Sequence, residues 1–257
     1  MVRARFLSLL LAVLGAVPQW VGADVADVIA RVKPSIVIVG SFKSTDSPRF
    51  RLRGTGFVVG NGNQAVTNAH VMPDGSENQS EFSMVVQVRG AGNQWNMRQA
   101  TVQALDRLHD LVLLRFDGAA VPAMAVGDSD AVREGQSVAF TGFPIGGALG
   151  FSPVTHRGMI SAVTPAAMPT PTARLLNEAT IRGVRAGTFD IFQLDATAYP
   201  GNSGGPLFDP DTGEVLGVVN MVFIKGTRES ALSQPSGISY AIPSKFVAQL
   251  MDQAKGK

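Results

Sequence analysis

Short apolar runs broken by Gly, Pro, Asn and Asp dominate the chain. They include IVIVGSF (36–42), TGFVV (55–59), FSMVVQV (82–88), LVLLRF (111–116), SVAFTG (137–142), IFQLD (191–195), VLGVVNMVFI (215–224) and ISYAI (238–242). Val, Ile and Phe recur in these runs and turn formers follow them, which is the pattern of an all-β barrel or sandwich. Two segments instead carry helical spacing. DVADVIARVKPS sets Val25, Val28, Ile29 and Val32 on one face and meets a stop at Pro34. SKFVAQLMDQ aligns Phe246, Val247, Leu250 and Met251, with Ser244 placed to cap the helix start. Residues 164–188 hold three prolines and little periodicity, and read as a long loop. Residues 73–99 read as a second excursion with one strand inside.

The first residues change the picture of where the protein works. MVRAR is basic, FLSLLLAVLGAV (6–17) is apolar, and Gly22-Ala23 are small. This predicts a secretory signal peptide over 1–23, with 24–257 as the exported, periplasmic or extracellular protein. The apolar run is shorter than the roughly 20 residues of a membrane-spanning helix, so no membrane attachment is expected after cleavage. Cleavage also removes Arg3 and Arg5 and no acidic residue, which takes 22 basic residues to 20 against 20 acidic ones. The net charge of +2 vanishes with the leader, and with it any charge argument for nucleic-acid binding. There is no cysteine, so disulfides and thiolate metal sites are excluded. No cluster of metal-ligand spacing appears, and no cofactor is expected.

Candidate chemistry lies in two stretches, TNAHV (67–71) and PGNSGGPLF (200–208). A serine hydroxyl needs a base to take its proton, a group to orient that base, and donors for the oxyanion it creates. In GNSGG, Ser203 is the nucleophile candidate, and the glycines permit a turn that points the Gly201 and Ser203 amides at one spot. On its own, GNSGG also reads as a glycine-rich turn bearing an exposed serine. It satisfies the G-x-S-x-G pattern of α/β-hydrolases too, but that fold needs a histidine after the serine. All three histidines, His70, His109 and His156, precede it. The order Asp, His, Ser is available through Asp24, Asp27 or Asp46, but it belongs to an α/β sheet. The remaining order is His, Asp, Ser. His70 ends a strand among small residues and can face a cleft. His109 reads as a surface-turn residue, and His156 as a strand or loop residue. Asp110 stands at the mouth of the apolar run LVLLRF, with Asp106 as its competitor.

The chain resembles the chymotrypsin-fold serine peptidases, in particular their HtrA/Deg-like bacterial branch. The resemblance rests on VADVIARVKPSIV, RGTGFVV, AVTNAHV, DRLHDLVLLR, GDSDAVREGQSVAFTGFP, GMISAV, LDATAYPGNSGGPLFD, GEVLGVVNM and YAIPS, which follow one another in the family's order. It implies two perpendicular six-stranded β-barrels, over approximately 35–125 and 126–243, with His70 and Asp110 from the first and Ser203 from the second. It implies a His70–Asp110–Ser203 triad with an oxyanion hole at Gly201 and Ser203, hydrolysing peptide bonds through an acyl-enzyme. Polypeptides are the expected partners, unfolded proteins among them. The resemblance also implies a substrate pocket with Thr197 at its base, a strand Asn220-Met221-Val222 that pairs with substrate, and Tyr240 nearby. None of these is charged, which favours a small or medium apolar side chain before the scissile bond. Asn202 replaces the aspartate through which many relatives couple a cut N-terminus to the oxyanion hole. Leader removal is therefore not expected to switch activity on by an ion pair. The PDZ modules usual in HtrA proteins are not expected here, and 164–188 lacks a close match to the family's glycine-rich loop. The competing readings are a protease-fold binding or chaperone-like protein that has lost its chemistry, and an esterase using the same triad.

Overall fold

The structure is a computed structural model of the chain and describes residues 24–73, 82–90, 92, 94–145, 150–166, 189–221 and 237–256. The expected leader and most of the loop expected over 164–188 lie outside these residues. Twelve strands close into two antiparallel six-stranded barrels. The first holds β1 (Ile36–Phe42), β2 (Phe50–Val59), β3 (Gln64–Asn68), β4 (Ser83–Arg89), β5 (Trp95–Asp106) and β6 (Leu111–Phe116), in the order β1-β2-β3-β6-β5-β4. The second holds β7 (Ser137–Gly142), β8 (Val154–Pro165), β9 (Asp190–Asp195), β10 (Pro206–Phe208), β11 (Val215–Asn220) and β12 (Ile238–Pro243), in the order β10-β11-β12-β9-β8-β7. The all-β, chymotrypsin-like expectation is met.

The unbroken apolar runs are explained by burial on both faces. Along β1, Ile36 and Ile38 join a cluster shared with both helices and the second barrel, while Val37 and Val39 fill the first barrel's interior. Strand β6 divides the same way: Leu111 and Leu113 join the shared cluster, and Val112 and Leu114 point into the barrel. Successive side chains on a strand face opposite ways, so such a run must be apolar throughout. The shared cluster also takes Ala139, Phe143, Phe208, Val215 and Val218 from the second barrel, so the two barrels have one continuous core between them. Each fully buried Leu, Ile, Val or Phe there is worth about 1.5–3 kcal/mol.

Three local expectations are corrected. Residues 73–99 contain β4 and also the start of β5, whose only buried side chains are Ala100 and Ala104; its mostly polar surface hid it from pattern reading. Thr164 and Pro165 end β8 rather than begin a loop. Ser244 is the first helical residue of α2 (Ser244–Lys255), not its cap, and its hydroxyl donates to the Gly127 carbonyl at 2.8 Å. Helix α1 (Val25–Val32) starts under a side-chain cap from Asp24 and tightens into a 3₁₀ turn over Lys33–Ser35. Among the described residues, no helix is long and apolar enough to cross a membrane.

Candidate active site

Three loops bring the predicted residues to the junction of the barrels. His70 sits in a short 3₁₀ turn directly after β3. Asp110 ends the turn between β5 and β6, and Ser203 lies in the loop between β9 and β10. The carboxylate of Asp110 grips His70 twice. Its Oδ1 accepts from the His70 amide at 2.8 Å, and its Oδ2 lies 2.5 Å from His70 Nδ1. The Asp110 carbonyl accepts from the Ala69 amide at 2.9 Å and from Asn68 Nδ2 at 3.1 Å. A carboxylate on Nδ1 fixes the ring's orientation and leaves Nε2 as the basic nitrogen. The His70 and Asp110 side chains are 29% and 21% exposed, so the pair is within reach of a substrate.

Asn220 has a place that sequence reading missed. Expected on a substrate-pairing strand, it is fully buried at the end of β11, and its Nδ2 donates to Asp110 Oδ2 at 2.7 Å. The second barrel thereby holds the first barrel's aspartate. Its pairing opposite Tyr240 follows the β11–β12 register. Met221 packs against the second barrel's interior. Thr197 is half-buried in the loop after β9. Val222 lies outside the described residues.

The loop carrying Ser203 is pinned by backbone contacts from both barrels. Thr55 of β2 donates its amide to the Ser203 carbonyl at 2.9 Å and its hydroxyl to the Gly201 carbonyl at 2.6 Å. The same hydroxyl accepts from the Phe143 amide at 3.0 Å. Gly204, at φ +83°, comes so close to β2 and β3 that a Cβ would lie 2.2 Å from the Thr55 carbonyl and from Thr67 Oγ1. Only glycine fits there. The Pro200 carbonyl accepts from the Ile145 amide at 2.7 Å. Because the peptide is trans and planar, the Gly201 N–H then points the opposite way. Gly201 itself has φ +104°. Among the described residues, neither the Gly201 nor the Ser203 amide donates to another group, which leaves both available to an oxyanion. Ile145 holds its position at φ 58°, a conformation rare for a β-branched residue, and no sequence signal announced it.

Ser203 is 6% exposed. No hydrogen bond joins its hydroxyl to His70 among the described residues. Asn202 is fully buried, with neither Oδ1 nor Nδ2 partnered.

The sequence profile of the trypsin-like peptidase domain matches residues 54–218, from β2 to β11. The chain belongs to this family. Among curated relatives it is 32% identical, over 206 residues, to a probable periplasmic serine endoprotease DegP-like of Marinomonas sp. (strain MWYL1), covering 79% of this chain and 35% of that one. It is 30% identical, over 237 residues, to the mitochondrial serine protease HTRA2 of Drosophila pseudoobscura pseudoobscura, covering 90% and 47%. The chain thus spans between a third and a half of the length of these relatives. Solved structures share the fold. An HtrA-type protease AlgW with tripeptide superposes with a TM-score of 0.62 at 24% identity, over 89% of this chain and 62% of that one. Deg5 does so with a TM-score of 0.62 at 23% identity, over 87% and 90%.

The other two histidines are elsewhere. His156 lies on β8 with its ring stacked on Phe140 at 4.8 Å. Burial holds its pKa below the ordinary histidine value, and its Nε2 has no partner. His109 was expected at the surface. Instead its side chain is 13% exposed and rests against Asp106, with Nδ1 to Oδ2 at 2.6 Å. For the Asp106 carboxyl, burial works against ionisation. The hydrogen bonds from the His109 ring and amide, the histidine's charge and the Leu108 amide outweigh it, so its pKa lies below the usual carboxylate value. Asp106 therefore serves its own turn and does not compete for His70.

Proposed function

We propose that the protein is an exported serine endopeptidase, working in the periplasm or outside the cell, that hydrolyses peptide bonds through an acyl-enzyme. His70, Asp110 and Ser203 form its triad, and the Gly201 and Ser203 amides form its oxyanion hole. The observation that carries this reading is the doubly bonded His70–Asp110 pair standing across the barrel junction from a serine loop with two undonated amides. Membership of the trypsin-like peptidase family and likeness to HtrA-type serine proteases support it.

In the proposed cycle, His70 Nε2 takes the Ser203 proton as Oγ attacks the substrate carbonyl carbon. The carbonyl electrons move to oxygen, where the two amides receive the negative charge. Asp110 holds the protonated ring through Nδ1, and His70 then gives its proton to the leaving amine. Water, activated by the same histidine, releases the acyl group. The Ser203–His70 hydrogen bond tightens once substrate excludes solvent, as catalytic contacts in unliganded sites commonly do. The substrate backbone lies along the segment Asn220-Met221-Val222, and the uncharged Thr197, Met221, Val222 and Tyr240 favour a small or medium apolar side chain before the scissile bond.

A fluorophosphonate probe tests the chemistry. Covalent labelling that disappears in Ser203→Ala supports it, whereas unlabelled, folded protein favours a binding or chaperone-like role on the same scaffold. Cleavage of a peptide library chiefly after Lys or Arg would overturn the specificity.

A further inference from the structure

We propose that His109 is a positioning residue: it fixes the turn that presents Asp110, and so links helix α2 to the triad. The inference rests on the triad reading above and adds a residue that the reading does not use.

Asp110 has φ 53°. A non-glycine residue in the left-handed region persists only where its surroundings over-determine it. The constraints on its downstream side are the contacts to Asn68, Ala69, His70 and Asn220 already described. On the upstream side stand Arg107 and Leu108, both exposed, and His109. His109 is the member of that turn with a buried anchorage. Asp106 Oδ1 accepts from the Leu108 amide at 3.0 Å and from the His109 amide at 3.1 Å, and Oδ2 meets the His109 ring. The ring stacks on Phe246 of α2, with centroids 3.7 Å apart and planes 18° apart. It also meets Phe189, just ahead of β9, edge to face at 4.6 Å. Phe189 and Phe246 close the cluster at 5.4 Å.

One imidazole therefore joins the residue next to Asp110 to three elements: the end of β5, the entry to β9 and the C-terminal helix. Its donor closes the turn onto Asp106, and its face docks the turn on α2. Without it, the upstream side of Asp110 loses its buried anchorage and keeps the Leu108 and His109 amide bonds to Asp106. The left-handed residue relaxes, and the carboxylate drifts from His70 Nδ1. A displacement of about 1 Å in a catalytic constellation costs on the order of 100-fold in rate.

Two partial replacements separate the parts of the anchorage. His109→Asn keeps a donor toward Asp106 and loses the stack, while His109→Phe keeps the stack and loses the donor. The experiment measures kcat and KM on the p-nitrophenyl ester of an N-acylated apolar amino acid, with circular dichroism to establish folding. His109→Ala should lower kcat by about 10- to 100-fold with KM unchanged within about twofold, and Asn and Phe should each restore part of the loss. The deciding comparison repeats His109→Ala in an Asp110→Asn background. Because His109 acts through the Asp110 carboxylate, its loss there should change kcat by less than about twofold. An equal fall in both backgrounds, or an unchanged kcat in the wild-type background, overturns the proposal. If His109→Ala does not fold, His109→Asn carries the same cycle with the same two outcomes. The triad reading fails separately, through undiminished turnover by Ser203→Ala or Asp110→Asn, and that result sinks both.

Discussion

Replacing Thr55 by valine tests how the two barrels share the site. Thr55 is fully buried on β2, and its hydroxyl serves two backbone groups of the second barrel, donating a hydrogen bond to the Gly201 carbonyl at 2.6 Å and accepting one from the Phe143 amide at 3.0 Å. Valine has nearly the same shape, so no cavity complicates the comparison. It has no hydroxyl, so the buried Phe143 amide and the part-buried Gly201 carbonyl lose a partner together. A buried group left unsatisfied costs about 1–3 kcal/mol and one within reach of water costs less, so Thr55→Val should lose about 1–4 kcal/mol. Thr55→Ser keeps the hydroxyl and loses one methyl, worth about 0.8 kcal/mol before any cavity effect. Urea unfolding followed by circular dichroism gives both values. The free Gly201 carbonyl also lets its loop turn, so Thr55→Val should lower kcat on an activated ester while Thr55→Ser should not. A valine variant within about 0.5 kcal/mol of wild type, the ordinary spread for harmless substitutions, would refute the idea that this hydroxyl ties the Ser203 loop to β2.

Other consequences follow from the same geometry. Asn220→Ala removes a hydrogen bond to a charged group, worth about 1.5–3 kcal/mol; kcat should fall roughly 10- to 100-fold with KM little changed, measured by steady-state kinetics. Gly204→Ala places a Cβ 2.2 Å from the Thr55 carbonyl at φ +83°, and should either abolish folding or lower the thermal midpoint sharply in a melt. Burial lowers the His156 pKa, so the folded state binds its proton less readily than the unfolded state. That contribution to stability is fully present above the unfolded value of about 6.5 and is lost as the pH falls through the folded one. His156→Phe, which keeps the stack on Phe140, should flatten this acid limb in urea titrations at stepped pH; an unchanged limb would exclude His156 as its source.

Some of this molecule is written locally and some only in its closure. The unbroken apolar runs in IVIVGSF and LVLLRF report two buried faces, and the strands around them could be read directly. PLF (206–208) is too short for any period to show, and β5 has only two buried alanines to betray it. The triad candidates were legible because chemistry demands a histidine, an aspartate and a serine, and the order of the histidines along the chain excluded another fold. What supports them was not legible. Asn220 meets Asp110 across 110 positions, and Thr55 meets Gly201 across 146. No local pattern encodes such pairings, and they exist only because the barrels dock. His109 was misread for a related reason. Its neighbours in sequence, Arg107 and Leu108, are exposed, and the rings that bury it arrive from Phe189 and Phe246.

The central claim is that Ser203 is the nucleophile of a peptide-bond hydrolase. Its most direct test is the turnover of denatured casein by purified protein, wild type against Ser203→Ala, with folding established for both. The account predicts steady hydrolysis by the wild type and a fall in kcat of roughly 10⁶ in the variant. Hydrolysis that survives the substitution undiminished would contradict it.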